Sequence, residues 1–237
     1  MQKLNRIFWI ALVALSLGAC SGIQHRAFNP TDRQDIKTIG LLTPAVPDTV
    51  SVKMSVHPGQ SLGMVGTLIA RSDMNDKSAD FTHAAQGTGF VCSKRFKNQL
   101  EAGLNEAGFA VKAMNVSRPT GGYDFLKRYP ADDGSVDAYL DLYSDLVGFT
   151  AAGGTTPYRP TVLLHVRLVR ASDHKVLYQD AIAYNAFGDG DGAVTIAPSR
   201  QYEFPEFAEL MANPLKALEG LQLAMRATGE ELARQLR

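Results

Sequence analysis

Gly59-Gln60-Ser61-Leu62-Gly63 has the G-x-S-x-G spacing of a nucleophile elbow, in which a serine sits on a sharp turn between a strand and a helix and attacks an acyl carbon. The flanks fit in part. Thr49 to Val56 alternates like a strand before it, and an apolar run from Leu62 to Ala70 follows it. Two features disagree. Pro58 interrupts the chain where the strand should run straight into the turn, and the buried central strand of such an enzyme is apolar on both faces, whereas this one alternates. An acid and a base in the order Ser, Asp, His are found only by choosing among candidates such as Asp145 with His165 or His174. Alternation puts His165 on an outward strand face, and His174 falls in a turn. A serine hydrolase using Ser61 therefore stands as an alternative, not as the principal expectation.

The same segment has a second reading. Gly59, Gly63 and Gly66 interleave with Leu62, Met64, Val65, Leu68 and Ile69, and small residues at this spacing let helices approach closely. Gly59, Gly63, Val65, Gly66 and Leu68 are thus a candidate interaction segment, an apolar helix that docks on a partner, on lipid, on another copy or on the domain's own sheet. Ser72 to Asp80 is polar and expected to be solvated. Gly188-Asp189-Gly190-Asp191-Gly192 suggests a calcium loop, but the next ligand position holds Ala193 and the twelfth holds Arg200, so a turn is expected instead. No Cys/His cluster has metal spacing, and no phosphate-cradling glycine loop is present. We expect no metal and no cofactor.

The chain opens with Lys3 and Arg6, then an apolar run from Ile7 to Leu17 broken only by Ser16, then Gly18-Ala19-Cys20-Ser21. That run is too short for a permanent membrane span and has the layout of a secretory signal. Leu17-Gly18-Ala19-Cys20 resembles the lipobox of bacterial lipoproteins. The resemblance implies cleavage between Ala19 and Cys20 and a diacylglycerol, usually with a third palmitate-type chain, on Cys20. Two or three chains suffice for stable anchoring where one does not. Ser21, in place of the Asp that resembles an inner-membrane retention signal in enteric bacteria, implies the periplasmic face of the outer membrane rather than the inner membrane.

Composition is consistent with this. Residues 20–237 carry 22 basic and 24 acidic side chains, a balance that excludes a nucleic-acid surface and means that no basic patch assists the anchor. With Cys20 acylated, Cys92 has no partner for a disulfide and is expected as a small buried hydrophobe.

Residues 1–19 are read as the signal, 20–35 as acylated Cys and polar tether, and 36–237 as one periplasmic domain with insertions near 57–86 and 186–212. Strands are predicted at 36–42, 49–56, 109–116 and 136–147, and helices at 87–107 and 213–236. The clearest unit is a hairpin, 161–170 and 175–185, turning at Ala171-Ser172-Asp173-His174. Asn213 and Pro214 suit the start of the last helix. Two loops carry aromatics: Tyr123, Phe125, Tyr129 with Pro130, and Tyr202, Phe204, Phe207 with Leu210 and Met211. Each reads as a contact surface or as a cover for the sheet. The fold class is α+β or α/β, a single mixed sheet with a crossover helix and a C-terminal helix packed on it. This layout resembles the small α/β domain of envelope lipoproteins of the CsgG, LpoB and TolB amino-terminal kind. The resulting expectation is a non-catalytic, lipid-anchored envelope protein that binds protein partners or its own copies in assembly, secretion or maintenance. A small-molecule or lipid-binding module of a transport system is the other alternative.

Overall fold

The computed structural model describes residues 25–119, 123–185 and 192–237. Cys20, the signal and the Asp-Gly run at 188–191 lie outside these. Along the described chain come α1 (Pro30–Asp35), β1 (Thr38–Leu42), β2 (Ser51–Val56), a 3-10 turn (Pro58–Leu62), α2 (Gly63–Gly87), α3 (Cys92–Glu106), β3 (Ala110–Met114), β4 (Ala138–Gly153), β5 (Arg159–Arg170), β6 (Val176–Tyr184), β7 (Val194–Ile196), α4 (Phe207–Ala212) and α5 (Pro214–Gln235).

The strands form one mixed seven-stranded sheet in the order β3-β1-β4-β5-β6-β7, with β2 also on β4. The expected fold class holds. The long strand β4 organises it. Its first residues pair with β1 and its last with β2, both parallel, while its other edge pairs antiparallel with β5. The chain between β1 and β2 follows the same edge, with Ala45 bridging Tyr143. Ala138, Leu140, Leu142, Val147 and Phe149 face the helices and are fully buried, together with Val162, Leu164 and Val166 of β5. α2, α3 and α5 cover that face. Phe81 of α2 meets Phe149 edge to face at 5.2 Å.

Four expectations need correction. The predicted helix over 87–107 starts at Cys92, because Gly87 ends α2 and Gly89, at φ +77°, turns the chain. The apolar helix does not end before the polar stretch 72–80, which forms the middle of α2 and, as expected, buries none of its residues. Residues 26–35 do not hang free as a tether. Arg26 pairs antiparallel with Gln179 on the outer edge of β6, and Asp32 of α1 is bound by Arg170 at 2.6 Å. Asn213 does not cap α5 with its side chain, since its Nδ2 donates back to Glu209 O.

α2 lies where it does because β2 has no strand on its outer side. Its outward backbone groups are met by side chains of α2 instead. Met54 N–H donates to Met74 Sδ at 3.3 Å, Val52 N–H to Ser78 Oγ at 2.8 Å and Val50 N–H to Thr82 Oγ1 at 3.0 Å. The Thr82 hydroxyl donates to Val50 O at 3.3 Å. The two repeats match: four helical residues rise about 6 Å, and two residues of a parallel strand about 6.6 Å. Exposed strand edges invite unwanted pairing, and here a helix closes the edge with its own side chains.

Replacing Thr82 by the isosteric Val leaves both buried backbone groups of Val50 without a partner. We expect Thr82→Val to destabilise the fold by about 1–3 kcal/mol in urea unfolding. A loss no larger than that of an exposed-site substitution on the same helix would contradict the edge closure.

Candidate docking surface

Gly63 joins the 3-10 turn to α2 at φ +71°, a backbone conformation open to glycine. The turn is fastened to the helix. His57 Nδ1 accepts from Gly59 N–H at 3.0 Å, and its Nε2 lies 3.2 Å from Asp73 Oδ2, which also binds Lys77 at 2.6 Å. Burial pushes the Asp73 carboxyl up, but the hydrogen bonds from Lys77 and His57 outweigh it and hold it below its ordinary range.

The helix starts well beyond the end of the strand it covers. Met74 lies beside Met54, so Gly63 stands about 16 Å further along, past Val56. The first two turns consequently have no sheet beneath their outer side. Met64, Val65, Leu68 and Ile69 are 83%, 68%, 61% and 59% exposed, and Val56 beside them 67%. Four large apolar side chains in six residues, all in water, form an apolar cluster of the kind that marks an interaction surface.

The candidate segment therefore divides. Val65 and Leu68 project outward. Gly66 is buried, and a Cβ on Gly59 would come within 3.1 Å of Gly66 O, so this pair serves the close packing of the turn on its own helix. Met64 and Ile69 belong with Val65 and Leu68, which their position in the same apolar run could have suggested. Beside the cluster a cavity of about 440 Å³ is lined by Lys53, Met54, Arg71, Met74, Asn75 and Leu146, two cations among apolar and amide groups.

Ser61 sits in the 3-10 turn that joins β2 to α2. Its hydroxyl donates to Pro58 O at 2.7 Å. The structure does not bring the candidate acid and bases to it. His174 is in the turn at the far end of the β5–β6 hairpin and bonds Pro130 O at 3.0 Å. His165 lies on the sheet face away from the helices, stacked on Tyr143 at 4.4 Å. Burial lowers its pKa, and Asp145 partly opposes that. Among the described residues no group of three or more His, Cys, Asp or Glu side chains could hold a metal ion.

The first aromatic loop covers that face of the sheet. Phe125 meets Tyr143 at 4.9 Å under the Arg167 guanidinium, and Tyr129 stacks on Tyr139 at 6.3 Å. At its centre Asp141 is fully buried. It pairs with Arg118 and accepts from Leu126 N–H at 2.7 Å and Tyr129 Oη at 3.1 Å. Burial, with the Asp141 charge added, pushes the Tyr129 phenol up to about 12. Sequence reasoning missed this cluster, since Asp141 alternates like any outward strand residue. The second aromatic loop folds back as well: Phe204 and Leu210 are buried, with Phe204 edge to face on Phe149. Cys92 is fully buried, and burial, helped by Asp48, pushes its thiol up to about 12.

No protein-family model and no curated protein matches the chain. Among solved structures it is similar to protein XCC0632 of Xanthomonas campestris, from the family DUF330. Identity is 10% and the TM-score 0.43, over 84% of this chain and 81% of that one. A dodecameric PelC variant of Paraburkholderia phytofirmans aligns at 10% identity and TM-score 0.36, over 90% and 95%. Lipoprotein GNA1162 of Neisseria meningitidis aligns at 14% and 0.23, over 65% and 88%.

Two outcomes test this geometry. Arg118→Ala leaves Asp141 buried without its counter-charge, and we expect a loss of about 3–5 kcal/mol in denaturant unfolding. A thiol reagent should leave Cys92 unmodified in the native protein and label it on unfolding, because thiolate, the reactive form, is suppressed by burial. Rapid native labelling would contradict the burial.

Proposed function

We propose that the chain is a lipid-anchored envelope protein, held by acyl chains on Cys20 at the periplasmic face of the outer membrane, whose domain is a non-catalytic docking module. The observation that carries the docking role is the apolar cluster Met64, Val65, Leu68 and Ile69, left in water by the overshoot of α2. A serine hydrolase at Ser61 would hold the hydroxyl in hydrogen-bond reach of a base, and Ser61 instead donates to a backbone carbonyl. The anchor reading rests on Leu17-Gly18-Ala19-Cys20. A protein partner, another copy of the chain or a lipid surface would each suit an apolar end of this kind. The process served is assembly, secretion or maintenance of the envelope.

The anchor is tested by mass spectrometry of protein taken from the cell envelope. The mature chain should begin at Cys20 and carry the added mass of two or three acyl chains, and an unmodified Cys20 in a protein that stays soluble on fractionation contradicts the reading. A fluorophosphonate probe should give no label that Ser61→Ala removes, and a Ser61-dependent label would restore the hydrolase. Leu68→Glu should change unfolding stability by no more than about 0.5 kcal/mol, as an exposed site does. A core-sized loss would show that the cluster is packed against the domain and not free to dock.

A further inference from the structure

We infer that the cavity between α2 and the strands β2 and β4 binds an organic anion with an apolar body, whose charged end Lys53 and Arg71 hold at the mouth. The inference goes beyond the docking role, since none of the exposed apolar side chains at the start of α2 lines this cavity.

Lys53 of β2 stands opposite Thr150 of β4 in the parallel register, so the two side chains share a face of the sheet, and alternation adds Ser55 and Leu146 to it. Phe149, next to Thr150, points to the helices, so this face is the one turned away from the aliphatic core. α2 lies along the free edge of β2 and supplies the wall. Arg71, Met74, Asn75 and Ser78 have the spacing of one side of a helix. The enclosed volume of about 440 Å³ is that of an ordinary small-molecule site.

The hydrogen bonds already made limit what the cavity can recognise. Ser78 accepts from Val52 N–H at 2.8 Å and has one proton, taken by Met74 O at 2.7 Å or Val52 O at 3.2 Å. Met74 Sδ accepts from Met54 N–H. Thr161 donates to Arg159 O at 3.0 Å, which leaves the Thr150 proton for Thr161 Oγ1, and Asn185 Nδ2 donates to both hydroxyls, at 3.2 and 2.7 Å. The hydroxyls at the bottom are therefore spent on the fold. Among the described residues, the Lys53 ammonium, the Arg71 guanidinium, the Asn75 amide and the Ser55 hydroxyl remain for a ligand.

These four side chains are exposed, whereas Val52 is buried and Met54, Met74 and Leu146 half-buried. The cavity thus has donors at its rim and an apolar floor. Among the described residues neither cation belongs to an ion pair, and no carboxylate lines the cavity. Asp73, two residues from Arg71, is already bound by His57 and Lys77. Two full positive charges with no opposite charge beside them select an anion, and a guanidinium next to an ammonium suits a carboxylate. Met54, Met74 and Leu146 below them take the body of the ligand out of water. A neutral apolar molecule would leave both cations unused, and a bare inorganic ion would leave the floor wet.

The test is photolabelling of the full-length protein, purified from the envelope in a nonionic detergent. One probe is octanoate bearing a diazirine, and the other is the matching uncharged octanol. Peptide mass spectrometry reads the label at Met54, Met74 and Leu146. The carboxylate probe should label these residues and the alcohol much less. Lys53→Gln and Arg71→Gln should each lower the carboxylate label about tenfold, the weight of one charge-assisted hydrogen bond. Excess unlabelled octanoate should remove the label, and inorganic phosphate at the same concentration should not. Equal labelling by the alcohol shows apolar partition alone and overturns the proposal. So does a carboxylate label that survives both glutamine substitutions, or no label in the cavity at all. Displacement by phosphate as complete as by octanoate overturns it too, because the floor then has no part. The comparison of the two probes needs no variant, so it decides even where a glutamine substitution lowers the melting temperature.

Discussion

The structure depends on how one open strand edge is closed. β2 pairs with β4 on one side only, and without α2 its outward N–H and C=O groups would be stranded beside a buried core. Met74, Ser78 and Thr82 meet those groups at the helical interval that matches the strand repeat. Because each of the three contacts is specific to one strand residue, the helix has little freedom to slide along the edge. Its register is fixed, and so is the length by which it overshoots the strand. The exposed apolar turns follow from that register: the same clamp that protects one end of α2 leaves the other in water.

The two faces of the sheet are closed by different means. Helices α2, α3 and α5 bury the aliphatic face around Leu140, Phe149 and Leu164. The other face is closed by an irregular segment that brings Arg118, Phe125 and Tyr129 onto Asp141, Tyr143 and Arg167. A buried carboxylate there is satisfied by a guanidinium, a backbone amide and a phenol together. Such a set stabilises only when complete, because losing one member strands the rest. It also explains how a chain with polar residues on alternate strand positions supports a sheet covered on both sides.

Most of the sheet was legible in the sequence. The β5–β6 hairpin declared itself by clean alternation around a short turn, and α5 by an apolar stripe that the helix does bury through Leu218, Leu221, Met225 and Leu232. α2 was not legible as one helix. Its buried side consists of Gly66, Ala70, Phe81, Thr82 and Ala85, with Ser78 against the strand edge, so polar residues occupy its inner side and large apolar ones its outer side near the start. A helix that closes a strand edge needs hydroxyls where a core helix needs leucines, and the periodic signal disappears. For the same reason the candidate segment was found without its orientation. The glycine spacing fits close approach to a partner, to lipid, to another copy or to the domain's own sheet, and in the structure Gly59 and Gly66 pack on each other. The Asp141 cluster was hidden because its members come from three separate stretches, brought together only by the fold.

The edge closure is tested most directly by native-state hydrogen exchange at the amides of Val50 and Val52. No strand lies on the side to which either amide points, so an open edge would exchange them on the timescale of surface loops. With Thr82 and Ser78 holding them, both should exchange only as slowly as the amides of β5 in the centre of the sheet, in step with global unfolding. Fast exchange at Val50 and Val52 while β5 stays protected would contradict the clamp, and with it the register that leaves the start of α2 exposed.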